Sequence, residues 1–464
     1  MKKRILSAVL ACVMTAASAA ALSGCSGGDQ DSGGEVTISV GSLPSQETEP
    51  ERYQVYLDYI EKYEEMYPGR KVEIDTSNMD DMDQIMVNGA AGLLPNLFRV
   101  PYTNMQLMIE NGYARDITSI MQERGYDTTL RPELLDMVSD DGGNYYGVPA
   151  SGYMMGMMYN MNLFEQAGLV NEDGTIDVPQ TFDEVAETAQ IITEKTGKPG
   201  FAIQAKDREC GWTFMNIAWN YGVNFMEEGA DGKYTATFDS PEMISALEWL
   251  KDMKWNRKAM PENMLIDRTE IIKLFATDQL GMLICAEDFL PRPTKEYEMD
   301  KNKVASSAMP AGPNRRYSLI GGTVFVVSPE TTDEQLEAIF DWIDLIGYAP
   351  EISQEAQDNT KKDLEARVAN DDLIIPASFS VFADPERQKV IDELYAPYIN
   401  VDTKIMPGLG SDEVTMHMEE PEDSQQLYQV ITNIIQEILQ NENADIPALV
   451  KQGQENFQKD SLDK

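Results

Sequence analysis

Apolar positions along this chain follow two spacings in turn. Residues 36–40 (VTISV) carry the period-two, β-branched pattern of a strand, and the turn-rich stretch 41–50 follows. Tyr56, Ile60, Tyr63 and Tyr67 then recur at helical spacing, which predicts a helix over 53–67 that stops at Pro68-Gly69. Residues 72–75 read as the next strand, and a strand-helix-strand opening predicts an α/β sheet with right-handed crossovers. Further strands are predicted at 97–100, 145–149, 153–161, 200–203, 281–285 and 323–327. A helix is predicted to open at Thr181, with Glu184 three residues on as a capping box. The elements alternate without a repeat period and no linker divides the chain, so the pattern predicts two α/β lobes built from interleaved segments.

The first 25 residues, MKKRILSAVLACVMTAASAAALSGC, break this pattern. Lys2, Lys3 and Arg4 precede an apolar run from Ile5 to Leu22 that ends in small residues, the layout of a bacterial secretory signal. Leu22-Ser23-Gly24-Cys25 matches a lipobox, so residues 1–24 are expected to be removed and Cys25 to become a lipidated N-terminus. Two acyl chains anchor stably, because each buried CH₂ contributes about 0.8 kcal/mol and one chain holds only marginally. An ordinary cleaved signal and an uncleaved anchor helix are the alternatives. Residues 25–35 form a Gly/Ser/acid tether expected to behave as flexible coil.

Composition narrows the partners. The chain has 464 residues with 37 Lys and Arg against 79 Asp and Glu, a net charge of −42, and removal of the three leader cations makes it −45. Charge of this sign disfavours nucleic acid and repels anionic surfaces. After the leader no apolar run approaches the ~18 residues that span a bilayer. With Cys12 in the leader and Cys25 at the lipid site, Cys210 and Cys285 remain, either as two buried thiols or as a pair.

Several stretches then resemble one family in order. YEEMYPGRKVEIDTS (63–77), GLLPNLFRVPYTNMQLMIENGYARDIT (92–118), YGVPASGYMMGMMYNMNLFEQAGL (146–169), VPQTFDEVAETAQ (178–190) and ADGKYTATFDSPEMISALEWLKDM (230–253) are similar to the sugar-binding, maltose-binding-like family 1 of extracellular solute-binding proteins. Residues 275–289 and 309–346 resemble its later core, with Asn96 standing where the family usually has Asp. The resemblance implies a two-lobed, type II periplasmic-binding-protein-like α/β fold whose interleaved lobes are joined by a hinge. It implies a first lobe of 36–149 with 286–322, a second of 150–285 with 323–464, and crossings near Pro149-Ala150, Cys285-Ala286 and Gly321-Gly322. It further implies a monomeric lipoprotein that is not an enzyme and needs no cofactor or metal. Such a protein captures a carbohydrate, expected to be an oligosaccharide, between its lobes and delivers it to ABC permease subunits. A sugar-sensing partner of a membrane kinase is the runner-up.

Sugars are held by aromatic rings against C–H faces and by carboxylates and amides on hydroxyls. In 210–225, read as a helix, Phe214, Ile217, Ala218 and Tyr221 form a core stripe, while Trp212, Asn216 and Trp219 share a second face. Trp212 and Asn216 are candidate ligand groups, with core packing as the alternative for Trp212. Tyr153, just past the first implied crossing, is a further candidate, against packing among its Met neighbours. Asp288 and Glu287 are candidate hydroxyl acceptors or a solvated loop end. Arg99, Tyr102, Arg315 and Gly322 complete the expected set, and Trp249 and Trp342 are assigned to the core.

A lipid-anchored glycoside hydrolase is the competing class. His417 is the only histidine, which leaves no material for a His-based triad or a multi-His zinc site. There is no G-x-S-x-G and no Walker loop. A carboxylate pair for glycoside hydrolysis is defined by spatial separation, which sequence does not display.

Overall fold

The computed structural model describes residues 35–464 apart from 45, 48, 49, 78–80, 378 and 412. The expected secretory signal, Cys25 and the expected tether up to residue 34 lie outside the described residues. The strands in chain order are β1 (Val36–Val40), β2 (Arg70–Ile74), β3 (Leu97–Pro101), β4 (Gly147–Asn160), β5 (Phe201–Ala202), β6 (Met226–Glu228), β7 (Tyr234–Ala236), β8 (Met282–Ala286), β9 (Val304–Ala308), β10 (Tyr317–Val327) and β11 (Thr415–His417). Among the described residues, nine of these form one mixed sheet ordered β2-β1-β3-β10-β4-β8-β5, with β9 beside β4 and β11 beside β10. β6 and β7 form a separate hairpin.

The opening behaves as its pattern predicts: β1 is parallel to both β2 and β3, and the helix Pro50–Met66 crosses between β1 and β2. β10 then enters antiparallel to β3 and β4. These two long strands organise the sheet into halves. The later part of β10, Thr323–Val327, lies between β3 and the start of β4. The later part of β4, Met155–Asn160, pairs instead with β8 and β9, while the start of β10 pairs with β11. Between the halves only Met154↔Ile320, Tyr153↔Gly321 and Gly152↔Gly322 carry the ladder, and a register shift follows at Thr323/Val324.

One expectation is corrected by this pairing. Residues 145–149 and 153–161 were expected as separate segments and form one strand, because the intervening backbone stays paired to β10. β9, within 286–322, hydrogen-bonds to β4 in the β8 half, and the end of β10, within 323–464, pairs with β3. β8 is followed by β9 in the same half. The chain re-enters that half at Ile405, whose carbonyl accepts from Ser306 N at 2.9 Å.

Local chemistry explains the elements around the sheet. Thr181 Oγ1 caps the helix Phe182–Thr196 by accepting from Glu184 N at 3.2 Å. The Glu184 carboxylate takes the amide of Gln180, one residue before the cap, at 2.6 Å, so the capping box closes on a neighbouring donor. Met155, Met157 and Met158 are fully buried, as a strand covered on both faces requires. Trp342 is fully buried edge-on to Tyr63, and Trp249 packs between Phe182 and Phe201. Cys210 and Cys285 are both free and buried, and burial raises both thiols. Among the described residues no helix is long and apolar enough to cross a membrane.

The crossing leaves no room for a side chain at its glycines. Gly322 has φ +150°, and a Cβ there would lie 2.1 Å from the Ser151 carbonyl oxygen. A Cβ on Gly152 would lie 2.2 Å from the Phe379 ring. Gly322→Ala should therefore cost about 2–4 kcal/mol through overpacking and a nearly Gly-only backbone region. Urea unfolding should show this as a lower midpoint with an unchanged slope.

Candidate functional site

The helix Glu209–Tyr221 lies against the crossing, starting with Glu209 in its first turn and ending at Gly222, whose φ of 103° suits a glycine C-cap. Its face at 212, 216 and 219 was expected to look toward a ligand. Most of that face is turned inward. Asn216 is fully buried: its Oδ1 accepts from Leu319 N at 2.9 Å, and its Nδ2 donates to Thr213 O at 3.3 Å and Met155 Sδ at 3.2 Å. One turn on, Asn220 accepts from Tyr317 N at 2.7 Å and donates to Tyr317 O at 2.8 Å. Both asparagines hydrogen-bond the helix to β10, and Asn216 also reaches Met155 of β4.

The two indoles of this face meet the chain segment that follows β11. Trp219 is fully buried; its Nε1 donates to Glu420 Oε1 at 2.8 Å and its ring stacks on His417 at 4.1 Å. Trp212 is half-buried and its Nε1 donates to Glu419 Oε1 at 3.2 Å. Burial raises the Glu419 carboxyl above its usual range, with the Tyr428 and Trp212 contacts opposing. Burial likewise raises Glu420 to about 7, against the Trp219 hydrogen bond and the charge of Arg315.

Tyr153 completes a group with Trp212 and Glu419. Its ring lies over Gly321, where a Cβ would come within 2.3 Å of it. Burial pushes its phenol up to about 12, with Glu419 and Asp288 adding and Arg268 opposing, so all three charges are electrostatic neighbours of the ring. Arg268 opens the helix Arg268–Ala276, lies over the Phe289 ring at 4.9 Å, and reaches Glu209 at 3.3 Å and Asp288 at 3.4 Å. An open cavity of about 620 Å³ adjoins this wall, lined by Lys206, Asp207, Arg208, Glu209, Asp267 and Arg268, among others.

The remaining expected residues divide by location. Asp288 is exposed beside Arg268, and Glu287 is half-buried at the start of the same short turn, Glu287–Phe289. Gly322 acts through its backbone, as the close approach to Ser151 demands. Tyr102 is buried with its ring edge against Gly322 and its hydroxyl shielded without a partner. Arg99 is stacked over Phe325 at 4.4 Å in the β3 half of the sheet. Arg315 lies over Tyr317 at 5.3 Å and donates to Asn224 Oδ1 at 2.9 Å. Sequence reasoning missed Glu419, Arg268 and Glu209. Only the spacing of Glu209 to Trp212, one helical turn, offered a signal for any of them.

Against this fold and wall, comparison with known proteins is direct. Residues 46–345 match the family described as bacterial extracellular solute-binding protein, and the chain belongs to it. A putative binding protein of Brucella abortus is 27% identical over 312 residues, covering 66% of this chain and 70% of that protein. Among solved structures, an ABC transporter solute-binding protein of Thermotoga lettingae bound with α-D-tagatose is 20% identical. It aligns with a TM-score of 0.63 over 91% of this chain and 99% of its own. The cyclic α-maltosyl-1,6-maltose binding protein of Arthrobacter globiformis aligns at 0.64 with 17% identity, over 91% and 98%. The fold is thus the two-lobed α/β fold expected from the sequence, and the family works outside the cytoplasm and comprises binding proteins rather than enzymes.

Burial of Glu420 sets a pH dependence. A carboxyl whose folded pKa of about 7 exceeds its usual 4.5 holds its proton more tightly when folded, so it favours folding below pH 4.5. That contribution is lost as pH rises to about 7. The interval corresponds to roughly 3 kcal/mol. Glu420→Gln should flatten the fall in stability between pH 4.5 and 7 relative to wild type, as read by urea midpoints at each pH.

Proposed function

We propose that this protein is the substrate-binding lipoprotein of an ABC importer, that it captures a carbohydrate between its two lobes, and that it hands it to the membrane permease. The observation that carries the reading is the Trp212–Glu419–Tyr153 group beside the β4–β10 crossing: an indole and a phenol next to a carboxylate, at the hinge. Such a set covers the C–H face of a sugar ring and accepts its hydroxyl protons. The family membership and the sugars named for the Thermotoga and Arthrobacter structures support it.

In this reading one lobe comprises 36–151 and 323–395, and the other 155–320 and 396–464, with the three Met154, Tyr153 and Gly152 pairs as the hinge. Contacts of Ala383 N with Thr129 O, and of Gly211 N with Thr432 Oγ1, support the placement of the two later segments. A ligand that touches both lobes binds the closed form more tightly, so it shifts the hinge equilibrium by that difference in affinity. The permease reads the closed shape. Lipidated Cys25 and the 25–35 tether keep the body near the outer face of the membrane.

A thermal-shift screen of neutral mono- and oligosaccharides tests the reading, since a ligand at 100 times its Kd adds about 2.7 kcal/mol. Binding should also quench or shift indole fluorescence and reduce the radius of gyration in solution scattering. Trp212→Ala should weaken binding by about 1–3 kcal/mol, the scale of a desolvated aromatic anchor, with a smaller loss of stability. Sugar turnover, or unchanged affinity in that variant, overturns the assignment. Cys25→Ala should abolish incorporation of labelled palmitate, and a variant that is still labelled and processed defeats the lipoprotein claim.

A further inference from the structure

Within that reading, we propose that Glu419 is a specificity residue that restricts the ligand to neutral or amino saccharides and rejects those bearing a carboxylate or phosphate. Glu419 Oε1 is held by the Trp212 indole at 3.2 Å, which places the carboxylate at the aromatic wall. Its Oε2 is shielded from solvent and faces the Tyr428 hydroxyl, on a side chain only 1% exposed. Two neutral donors thus hold the carboxyl in place, and a further donor from a ligand is compatible with it where a second anion is not.

Charge around Glu419 decides which donors are acceptable. Tyr153 has both Glu419 and Asp288 as electrostatic neighbours, against the one cation Arg268. Arg268 already lies between Glu209 and Asp288. In the adjoining cavity Lys206, Arg208 and Arg268 face Asp207, Glu209 and Asp267, so its rim has no surplus of positive charge. Lys206 is paired with Asp267 at 2.9 Å. A ligand anion arriving at Trp212 therefore meets the Glu419 and Asp288 carboxylates and must detach Arg268 from its own partners to be neutralised. A hydroxyl or an ammonium meets an acceptor and no like charge. The net charge of −42 extends the same preference to long range.

The test uses the mature chain and matched probes: glucose-, xylose- and galactose-based di- to tetrasaccharides, each paired with a counterpart in which one primary hydroxyl or terminal residue is replaced by a uronate. Calorimetry at pH 7.5 should show the neutral member of any pair that binds to be at least about tenfold tighter. Glu419→Gln keeps an acceptor for Trp212 and should narrow that gap several-fold while the melting temperature of the free protein holds. A uronate that binds the wild type as well as its neutral partner overturns the inference and leaves the saccharide reading standing. So does a gap that Glu419→Gln leaves unchanged. Where that variant misfolds, Asp288→Asn, on an exposed side chain, is expected to narrow the same gap, and an unchanged gap there overturns the inference. If neither member of any pair binds, the saccharide reading itself falls.

Discussion

Everything in this protein hangs on three backbone pairs between β4 and β10. Met154, Tyr153 and Gly152 face Ile320, Gly321 and Gly322, and they join the parallel β1–β3 half of the sheet to the half built on β8 and β9. Three glycines and a register shift lie at this place, because an added Cβ would meet the Ser151 carbonyl at Gly322, the Tyr153 ring at Gly321 and the Phe379 ring at Gly152. A ladder held by main-chain hydrogen bonds on both strands bends more readily than a packed core, since few side chains interlock across it. The same ladder sets Tyr153 over Gly321 and so puts an aromatic ring at the junction of the halves.

The helix Glu209–Tyr221 builds an aromatic and acidic wall on that geometry. Asn216 and Asn220 attach it to the main chain of β10, with Asn216 also reaching Met155 of β4. Trp219 and Trp212, seven residues apart, then fall against successive carboxylates of the segment after β11. The inner pair, Trp219 and Glu420, is closed off and structural. The outer pair is less enclosed: the Trp212 indole is half-buried, while Glu419 Oε2 is shielded from solvent.

Much of the architecture was legible along the chain. The strands at 36–40 and 97–100, the helix over 53–67 and the cap at Thr181 were legible because period and turn chemistry are local properties. The helix containing Trp212 was legible too, and so was the shared face of Trp212, Asn216 and Trp219. What that face met was not. Helical spacing says which side chains point together, and nothing about whether a distant strand covers them. Asn216 looked like a ligand amide because its partners, Leu319 and Met155, are remote in sequence. Glu419 looked like one acid among many in an acidic, Pro-flanked stretch, for the same reason.

The sequence by itself determined the alternation of strands and helices, the family resemblance, the strong negative charge and the absence of histidine-based catalytic sets. Each of these follows from composition or from neighbours within a few residues. Only the tertiary structure decided that 304–308 and 323–327 belong to opposite halves of the sheet, and that Trp212 and Glu419 share a hydrogen bond across 207 positions of chain. Those outcomes depend on long-range strand pairing, in which many registers satisfy the same local pattern. The choice among them is made by which surfaces are buried together when the whole sheet closes.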